Sequence, residues 1–307
     1  MEQPQGCVNP AFPHHVCKIH KALYGLKQAP RAWYTRLSQT LLEIGFSSSK
    51  VNPSLFLYHS NASHVFLRVY VDDIIVIGNH MATIQTIITK LQANFAIKDL
   101  GSLSYFLGIQ ISRDSTRLHL RQSKYIQDLL TRTSMVDSKP YRTPCTTGSK
   151  MSKFDGDALP NPSDYRQIVG ALQYATLTRP DITYSVNQLY QHMHSPTSTH
   201  WTTAKRVLRN LKGTIDFGLH YTPGSLHLSG FCDSNWAGNP NDCRSTTGFG
   251  IFLGSNLISW SAKKQHVVSR SSTEAEYRAM ALTTSELYWL RMLFQELQVS
   301  LPSPPTI

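Results

Sequence analysis

The 307-residue sequence lacks long apolar runs. Its longest aliphatic stretches, such as Ile74–Ile77, fall far short of the roughly 20 residues that cross a bilayer. The N-terminal residues Met1–Gly6 have no apolar core of the kind that marks a secretory signal. We therefore expect no membrane partner and an intracellular location, in the cytoplasm, the nucleus or both.

Paired cysteines are also missing, because the five cysteines are scattered and form no Cys-x-x-Cys motif. An odd, dispersed set excludes a disulfide framework and favours a reducing compartment. Hydrophobic residues make up 41% of the chain and charged residues 16%, which is typical of a folded protein. The length predicts two or three domains.

Acidic residues are scarce, with 19 Asp and Glu against 30 Lys and Arg, for a formal net charge of +11. Residues 121–215 hold 13 of the basic and 6 of the acidic residues, a net +7. An excess of this size favours a polyanionic partner, and we expect a nucleic-acid backbone to lie along this block. The alternative is a set of solvated helix faces on a protein of high pI.

The pattern of elements divides the chain into three blocks, residues 1–120, 121–225 and 226–307. The first alternates short helices and strands, the second is helical and basic, and the third is a strand meander followed by one long helix. Residues 143–162 are rich in Pro, Gly, Ser and Asp, which predicts a linker. The proline-rich residues 301–307 cannot form a helix.

Two adjacent aspartates stand between two β-prone runs, Val65–Val71 and Ile74–Gly78. This spacing predicts a tight hairpin turned by Asp72 and Asp73. They are the sole acidic residues between positions 44 and 98, and neighbouring like charges cost free energy unless a cation offsets them. Mg²⁺ suits such oxygen ligands, with Asp72 as the main ligand because adjacent strand residues face opposite ways. The alternative is a turn without a ligand.

A second carboxylate pair is predicted where the run Leu226–Cys232 leads into Asp233 and a helix begins near Ser272. Ser271 and Glu274 fit a capping box. Glu276 heads a stripe of predicted buried helix positions, which would need a partner for its carboxylate. The alternative is an exposed first-turn Glu276 that complements the helix dipole. The remaining positions of the stripe are Met280, Thr283, Leu287, Leu290, Phe294 and Leu297.

Three motifs in the first part of the chain resemble the reverse transcriptases of copia-type retrotransposons. Tyr70-Val71-Asp72-Asp73 is similar to the metal-binding hairpin, residues 21–34 (KALYGLKQAPRAWY) to the nucleotide-side motif, and residues 103–109 (LSYFLGI) to the primer-grip hairpin. The resemblance implies catalytic and metal-binding roles for Asp72 and Asp73. It implies substrate-binding roles for residues around the incoming nucleotide, namely Lys27, Gln28, Arg31 and Tyr70. For Lys27 and Arg31 the alternative is ordinary surface charge.

Four further motifs resemble the ribonuclease H domain of the same retrotransposons: FCDSNWAG at 231–238, RSTTG at 244–248, ISW at 258–260 and SSTEAEY at 271–277. Asp233 and Glu276 match catalytic, metal-binding carboxylates of that domain. Asn235 stands where many relatives have an aspartate. All the motifs occur in the family's order, and together they cover essentially the whole chain.

The implied fold is a multidomain α+β and α/β protein. The resemblance assigns 1–120 to a partial reverse-transcriptase palm, 121–225 to the thumb and connection, and 226–307 to an incomplete ribonuclease H-like domain. It implies Mg²⁺ as cofactor and two-metal phosphoryl transfer. It implies RNA, DNA, RNA–DNA hybrid and deoxynucleoside triphosphates as partners.

The family also places one aspartate strand before the nucleotide-side motif and another after the last helix. We therefore expect this chain to lack the fingers and part of both active sites, and neither to polymerise DNA nor to cleave hybrids efficiently by itself. Two alternatives remain open. One is a catalytically inactive nucleic-acid-binding remnant, and the other is a fragment that does not fold stably.

Overall fold

The computed structural model of the chain describes residues 1–19, 23, 25–60, 63–146, 148 and 150–307. Three residues of the nucleotide-side motif, Lys21, Ala22 and Tyr24, lie outside the described residues. Internal contacts divide the chain into two compact units, residues 1–101 and 102–307. The division into three functional blocks stays a prediction. No helix in the described ranges is both long and apolar enough to cross a membrane.

Unit 1 is a sheet with two helices packed against it. Its elements in chain order are α1 (Ala29–Ile44), β1 (Ser47–Ser48), β2 (Leu55–His59), β3 (His64–Tyr70), β4 (Asp73–Gly78) and α2 (Met81–Asn94). The strands pair antiparallel in the order β1-β2-β3-β4. Branched and aromatic side chains of β2 and β3 form the core with both helices, and Phe56, Val65, Leu67, Ile87 and Leu91 are buried there.

Trp33, Leu37, Leu41 and Ile44 recur along α1 at spacings of four, four and three residues, which predicts one apolar helix face. Pro30 stands in its first turn, where a missing N–H costs nothing. Leu37 and Leu41 are fully buried, and Trp33 and Ile44 pack at the edge of the same core, which confirms the predicted face. The helix ends at Gly45, whose φ of 110° is accessible to glycine and strained for other residues.

Unit 2 begins with a hairpin and a bundle of helices. Its elements are β5 (Tyr105–Phe106), β6 (Ile109–Arg113), β7 (Leu118–Arg121), α3 (Ser123–Arg132), α4 (Ser163–Ala175), a 3₁₀ turn (Pro180–Ile182), α5 (Thr183–Tyr190), α6 (Ser198–Gly213) and β8 (Gly218–Tyr221). Strand β8 returns after the helices to pair with β7, which gives the order β5-β6-β7-β8. The helices share one apolar core, in which Tyr165, Leu172, Ile182, Val207 and Leu211 are fully buried.

The last part of unit 2 is an antiparallel sheet of order β11-β10-β9 with one long helix. These elements are β9 (Leu228–Asn235), β10 (Thr246–Leu253), β11 (Asn256–Lys264) and α7 (Ser272–Glu296). The Ser271 side chain accepts a hydrogen bond from the Glu274 N–H, which confirms the predicted helix start. The Glu274 carboxylate accepts the N–H of Arg270 and not the N–H of the cap residue Ser271. The return bond of the capping box therefore forms one residue earlier in the chain.

The proline-rich residues 301–307 contain no helix, as predicted. They run along the free edge of β9. Thr306 bridges Ser229 in parallel, and its carbonyl accepts the N–H of Gly230 at 2.8 Å. Part of an edge strand that would otherwise expose unpaired N–H and C=O groups is thereby covered.

The predicted linker at 143–162 is partly packed within unit 2. Ala158 forms a bridge with Thr197, and the N–H of Leu159 donates to the Pro196 carbonyl. The side chain of buried His200 reaches the Ser152 carbonyl at 3.1 Å. This segment therefore contributes to the surface of the helical bundle.

His192 stacks on His200 with ring centroids 3.9 Å apart, and both rings are buried. Burial, with the neighbouring His200 and Lys264 charges, lowers the pKa of His192 to about 4. Burial likewise lowers the pKa of His200. Because the folded state favours neutral rings, it binds fewer protons than the unfolded chain as the pH falls.

We predict that acidification destabilises unit 2. The contribution of His192 is fully present above its ordinary pKa of 6.5 and is lost as the pH falls toward about 4. Urea unfolding at pH 7.5 and pH 4.5 should show a lower midpoint at the lower pH. His192→Phe keeps an aromatic ring without a titratable group, so the difference between the two midpoints should shrink. An unchanged difference would contradict this role.

Candidate metal and nucleic-acid sites

The first candidate site lies at the tip of the β3–β4 hairpin. Tyr70 pairs with Asp73, so the two loop residues are Val71 and Asp72. The predicted Asp72–Asp73 turn is therefore wrong by one position, because Asp73 is already the first residue of β4. Val71 has a φ of 53°, a left-handed conformation that is unfavourable for a β-branched residue.

Helix α1 holds this strained turn in place. The Trp33 indole Nε1 donates to the Val71 carbonyl at 3.0 Å. The same indole packs edge-on against Phe95 at 5.2 Å between ring centroids. Trp33 of the nucleotide-side motif therefore fixes the backbone next to the aspartates.

The two aspartates are exposed at this tip. Within the described residues, neither Asp72 nor Asp73 forms a side-chain hydrogen bond or an ion pair. Their oxygens therefore remain available to a hard cation, and carboxylate oxygens are the ligands that Mg²⁺ prefers. Tyr70, on the preceding strand, is 50% exposed.

The predicted substrate residues at the start of α1 are exposed as well. Gln28 and Arg31 line a shallow groove along the solvent face of the helix. Lys27 precedes the helix and is also exposed. The Trp33–Val71 hydrogen bond brings the start of α1 next to the hairpin tip. The structure thus joins the second turn of α1 to the hairpin tip, with Lys27, Gln28 and Arg31 at the exposed start of the same helix.

The second candidate site lies on β9 and the first turns of α7. Asp233 is exposed and lies opposite Gly248 of β10. Glu276 is half-buried, and its Oε1 accepts the Ser234 N–H at 3.2 Å. The structure therefore places the Glu276 carboxylate beside the backbone of the residue that follows Asp233.

The buried stripe of α7 differs from the prediction. Ala275 and Ala279 occupy its first turns, followed by Thr283, Leu287 and Leu290. The predicted phase fails at the N-terminal end, where Met280 is 42% exposed and Glu276 lies beside the stripe. The alanines thus occupy the buried positions of the first turns, and Glu276 beside them meets the Ser234 N–H of β9.

The Asn235 side chain, at the end of β9, forms a hydrogen bond with the first residue of β10. Its Oδ1 accepts the Thr246 N–H at 2.6 Å, and a side chain on Gly238 would clash with its amide. The asparagine side chain therefore connects the end of β9 to the start of β10.

The hairpin of β5 and β6, which resembles the primer grip, closes through a two-residue loop. Leu107 and Gly108 have φ values of 46° and 73°, which define a type I′ turn. The Tyr174 hydroxyl donates to the Leu107 carbonyl, which ties the loop to α4.

Several basic side chains of the 121–215 block are used inside unit 2. Arg206 and Arg209 of α6 stack on Tyr141 at 4.5 and 4.1 Å from its ring centroid. Lys212 donates to the Ser138 carbonyl at 2.6 Å, and buried Arg179 pairs with Asp181. These contacts order the charges without cancelling most of them, so the nucleic-acid path along this block stays a prediction.

Neither candidate site is a full metal cage. Among the described residues, no group of three or more His, Cys, Asp and Glu side chains is arranged to hold a metal ion. The first site instead presents two adjacent aspartates of one hairpin, and the second presents one carboxylate from β9 and one from α7.

Comparison with known proteins defines the class of the chain. Residues 1–147 match the family model described as reverse transcriptase (RNA-dependent DNA polymerase). This match contains the Asp72–Asp73 hairpin, the start of α1 and the β5–β6 hairpin.

Similar proteins extend the likeness to the whole chain. This chain is 47% identical over 308 residues to the retrovirus-related Pol polyprotein from transposon RE2 of Arabidopsis thaliana. The alignment covers 100% of this chain and 21% of that protein. The chain is 51% identical to an uncharacterized mitochondrial protein of the same plant, over 73% of this chain and 94% of that protein. The putative transposon Ty5-1 protein of Saccharomyces cerevisiae is 31% identical over 94% of both chains.

The chain belongs to the copia-type retrotransposon Pol family, with a reverse transcriptase domain in its first half. It spans about a fifth of the length of the RE2 polyprotein.

Two residues beside the candidate sites carry no signal of their role in the sequence: Trp33, which holds the turn, and Gln265, a buried glutamine beside the second site. The sequence pattern indicates that Trp33 is a core aromatic residue, but it does not identify a hydrogen-bond partner for the indole N–H. Gln265 lies in a loop, where no periodicity marks burial.

We predict that Val71→Gly raises the free energy of unfolding of unit 1 by about 1 kcal/mol, because glycine adopts a positive φ without steric strain. Urea unfolding monitored by tryptophan fluorescence would measure it. Val76→Gly, in the regular strand β4, is the matched control and should destabilise the unit. Equal destabilisation by both substitutions would contradict strain at Val71.

Proposed function

We propose that this chain carries the metal-binding hairpin and the template-primer surface of an RNA-directed DNA polymerase, together with ribonuclease H-like elements. The observation that carries the proposal is the strained β3–β4 turn, which presents two exposed aspartates beside the start of α1. The substrates would be RNA, DNA, RNA–DNA hybrid and deoxynucleoside triphosphates.

Asp72 and Asp73 would hold Mg²⁺ in this function. The exposed carboxylates have the donor chemistry that the ion requires. When bound, Mg²⁺ would polarise phosphate oxygens and stabilise the charge that develops during nucleotidyl transfer. The chain itself would orient these ligands, because the Trp33–Val71 hydrogen bond fixes the turn between them and the helix.

Lys27, Gln28, Arg31 and Tyr70 would contact the incoming nucleotide and the primer end. Exposed basic side chains at the start of a helix suit phosphate oxygens, since their charge adds to the positive end of the helix dipole. The acid-free first turn of α1 is consistent with this role.

Asp233 and Glu276 would form the metal-binding part of the ribonuclease H-like site. Support comes from the sheet order β11-β10-β9, the helix packed on it and the Glu276–Ser234 hydrogen bond.

The second candidate function is nucleic-acid binding without catalysis. The pairwise rather than multiple grouping of carboxylates among the described residues favours it.

Primer extension on an RNA template with Mg²⁺ tests the polymerase proposal. Extension by the chain that falls by roughly 100-fold or more in Asp72→Asn would support it. Asp99→Asn, an exposed aspartate of the same unit, is the control and should leave extension unchanged. Salt-dependent hybrid binding without extension would select the non-catalytic alternative. Absence of both would overturn the nucleic-acid function.

Cleavage of an RNA–DNA hybrid tests the second site separately. Asp233→Asn and Glu276→Gln should each abolish any Mg²⁺-dependent cleavage, because each removes a metal-binding oxygen. Asp128→Asn, on the exposed side of α3, should have no effect. Cleavage that survives both site substitutions would exclude Asp233 and Glu276 as the catalytic pair.

A further inference from the structure

Gln265 lies just after β11 and is 8% exposed. Its backbone N–H donates to the Ser245 carbonyl at 2.8 Å. Its side-chain Oε1 accepts the Ser269 hydroxyl at 2.8 Å. The Ser269 bond sets the orientation of the amide, because Oε1 then faces the loop and the NH₂ group faces inward.

The inward Nε2 lies among three acceptors. It is 3.1 Å from Ser234 Oγ, 3.0 Å from Thr247 Oγ1 and 3.0 Å from the Ala275 carbonyl. One side-chain amide thus contacts β9, β10 and the first turn of α7. Two N–H bonds shared over three acceptors form a closed polar network in a buried place.

Two of these partners stand next to the candidate carboxylates. Ser234 follows Asp233, and Ala275 precedes Glu276. Gln265 therefore links the two backbone segments from which Asp233 and Glu276 project. The Ser234 N–H also donates to Glu276 Oε1, which makes the geometry of one segment depend on that of the other.

Apolar packing does little to fix this end of α7. The first turns bury alanines, Ala275 and Ala279, whereas the larger side chains Leu287 and Leu290 contribute to the core two turns and more further along. A methyl group buries little apolar area, so each alanine adds little packing free energy. Directional hydrogen bonds from Gln265 supply the constraint that packing does not.

We propose that Gln265 is a positioning residue that sets the separation of Asp233 and Glu276. Its catalytic consequence rests on the proposed ribonuclease H-like function, whereas its structural consequence does not. Loss of its donors should let the start of α7 move away from β9 and should weaken the bond between the Ser234 N–H and Glu276.

Hydrogen exchange at the Ser234 amide measures that bond directly in the full chain. Gln265→Leu removes the amide at similar volume, and Gln265→Glu keeps Oε1 but replaces the donor. Both variants should speed exchange at Ser234 by on the order of tenfold or more. Exchange at Ile251, in the middle of β10, should stay within about twofold of wild type because the strand ladder is intact.

Gln122→Leu is the matched control, since Gln122 is also fully buried in unit 2 and accepts the Thr178 hydroxyl at 2.9 Å. It should leave exchange at Ser234 unchanged. A protected Ser234 amide in Gln265→Leu would overturn the proposal. Equal acceleration at Ser234 and Ile251 would also overturn it, because Gln265 would then only stabilise the fold.

An assay of hybrid cleavage distinguishes the positioning role of Gln265 from the proposed nuclease function. In a wild-type chain that cleaves hybrid, Gln265→Leu should lower kcat by on the order of tenfold with little change in KM, since the substrate surface is intact. A wild-type chain that does not cleave, but whose Ser234 amide responds as stated, would refute the nuclease function and support the positioning role.

Discussion

Both candidate sites depend on a hydrogen bond that immobilises the main chain beside an aspartate. In unit 1 the donor is the Trp33 indole and the acceptor is the Val71 carbonyl. In unit 2 the Ser234 N–H donates to the Glu276 carboxylate. A carboxylate that binds a cation must stay exposed, so burial cannot hold it, and its backbone has to be held instead. The buried strands and helices behind each site provide the rigid support for that bond.

The two sites are held in place by different means, a strained turn in unit 1 and a buried polar network in unit 2. The β3–β4 tip holds a valine in a left-handed conformation, and the cost is offset by the packed indole. The β9–α7 site has regular backbone and relies on a buried amide network around Gln265. Each solution suits its surroundings, because a hairpin tip has few neighbours whereas a sheet-to-helix contact has many.

Much of this arrangement was predictable from the sequence. Apolar spacing predicted the buried face of α1, and the Ser271 cap predicted the start of α7. The turn register was missed because Val71 reads as a strand residue, and only the Tyr70–Asp73 pairing reveals its conformation. The phase of α7 was missed because alanines carry a weak hydrophobic signal. Contacts distant in sequence, such as Arg206 on Tyr141, leave no periodic trace that sequence reasoning can detect.

The parallel bridge between Thr306 and Ser229 has a practical consequence for handling the protein. Parallel neighbours advance in the same direction, so the tail points along β9 toward Asp233. A purification tag fused to Ile307 would therefore extend along β9 toward the exposed Asp233. A histidine tag there would bring metal-chelating groups beside the proposed cation ligand.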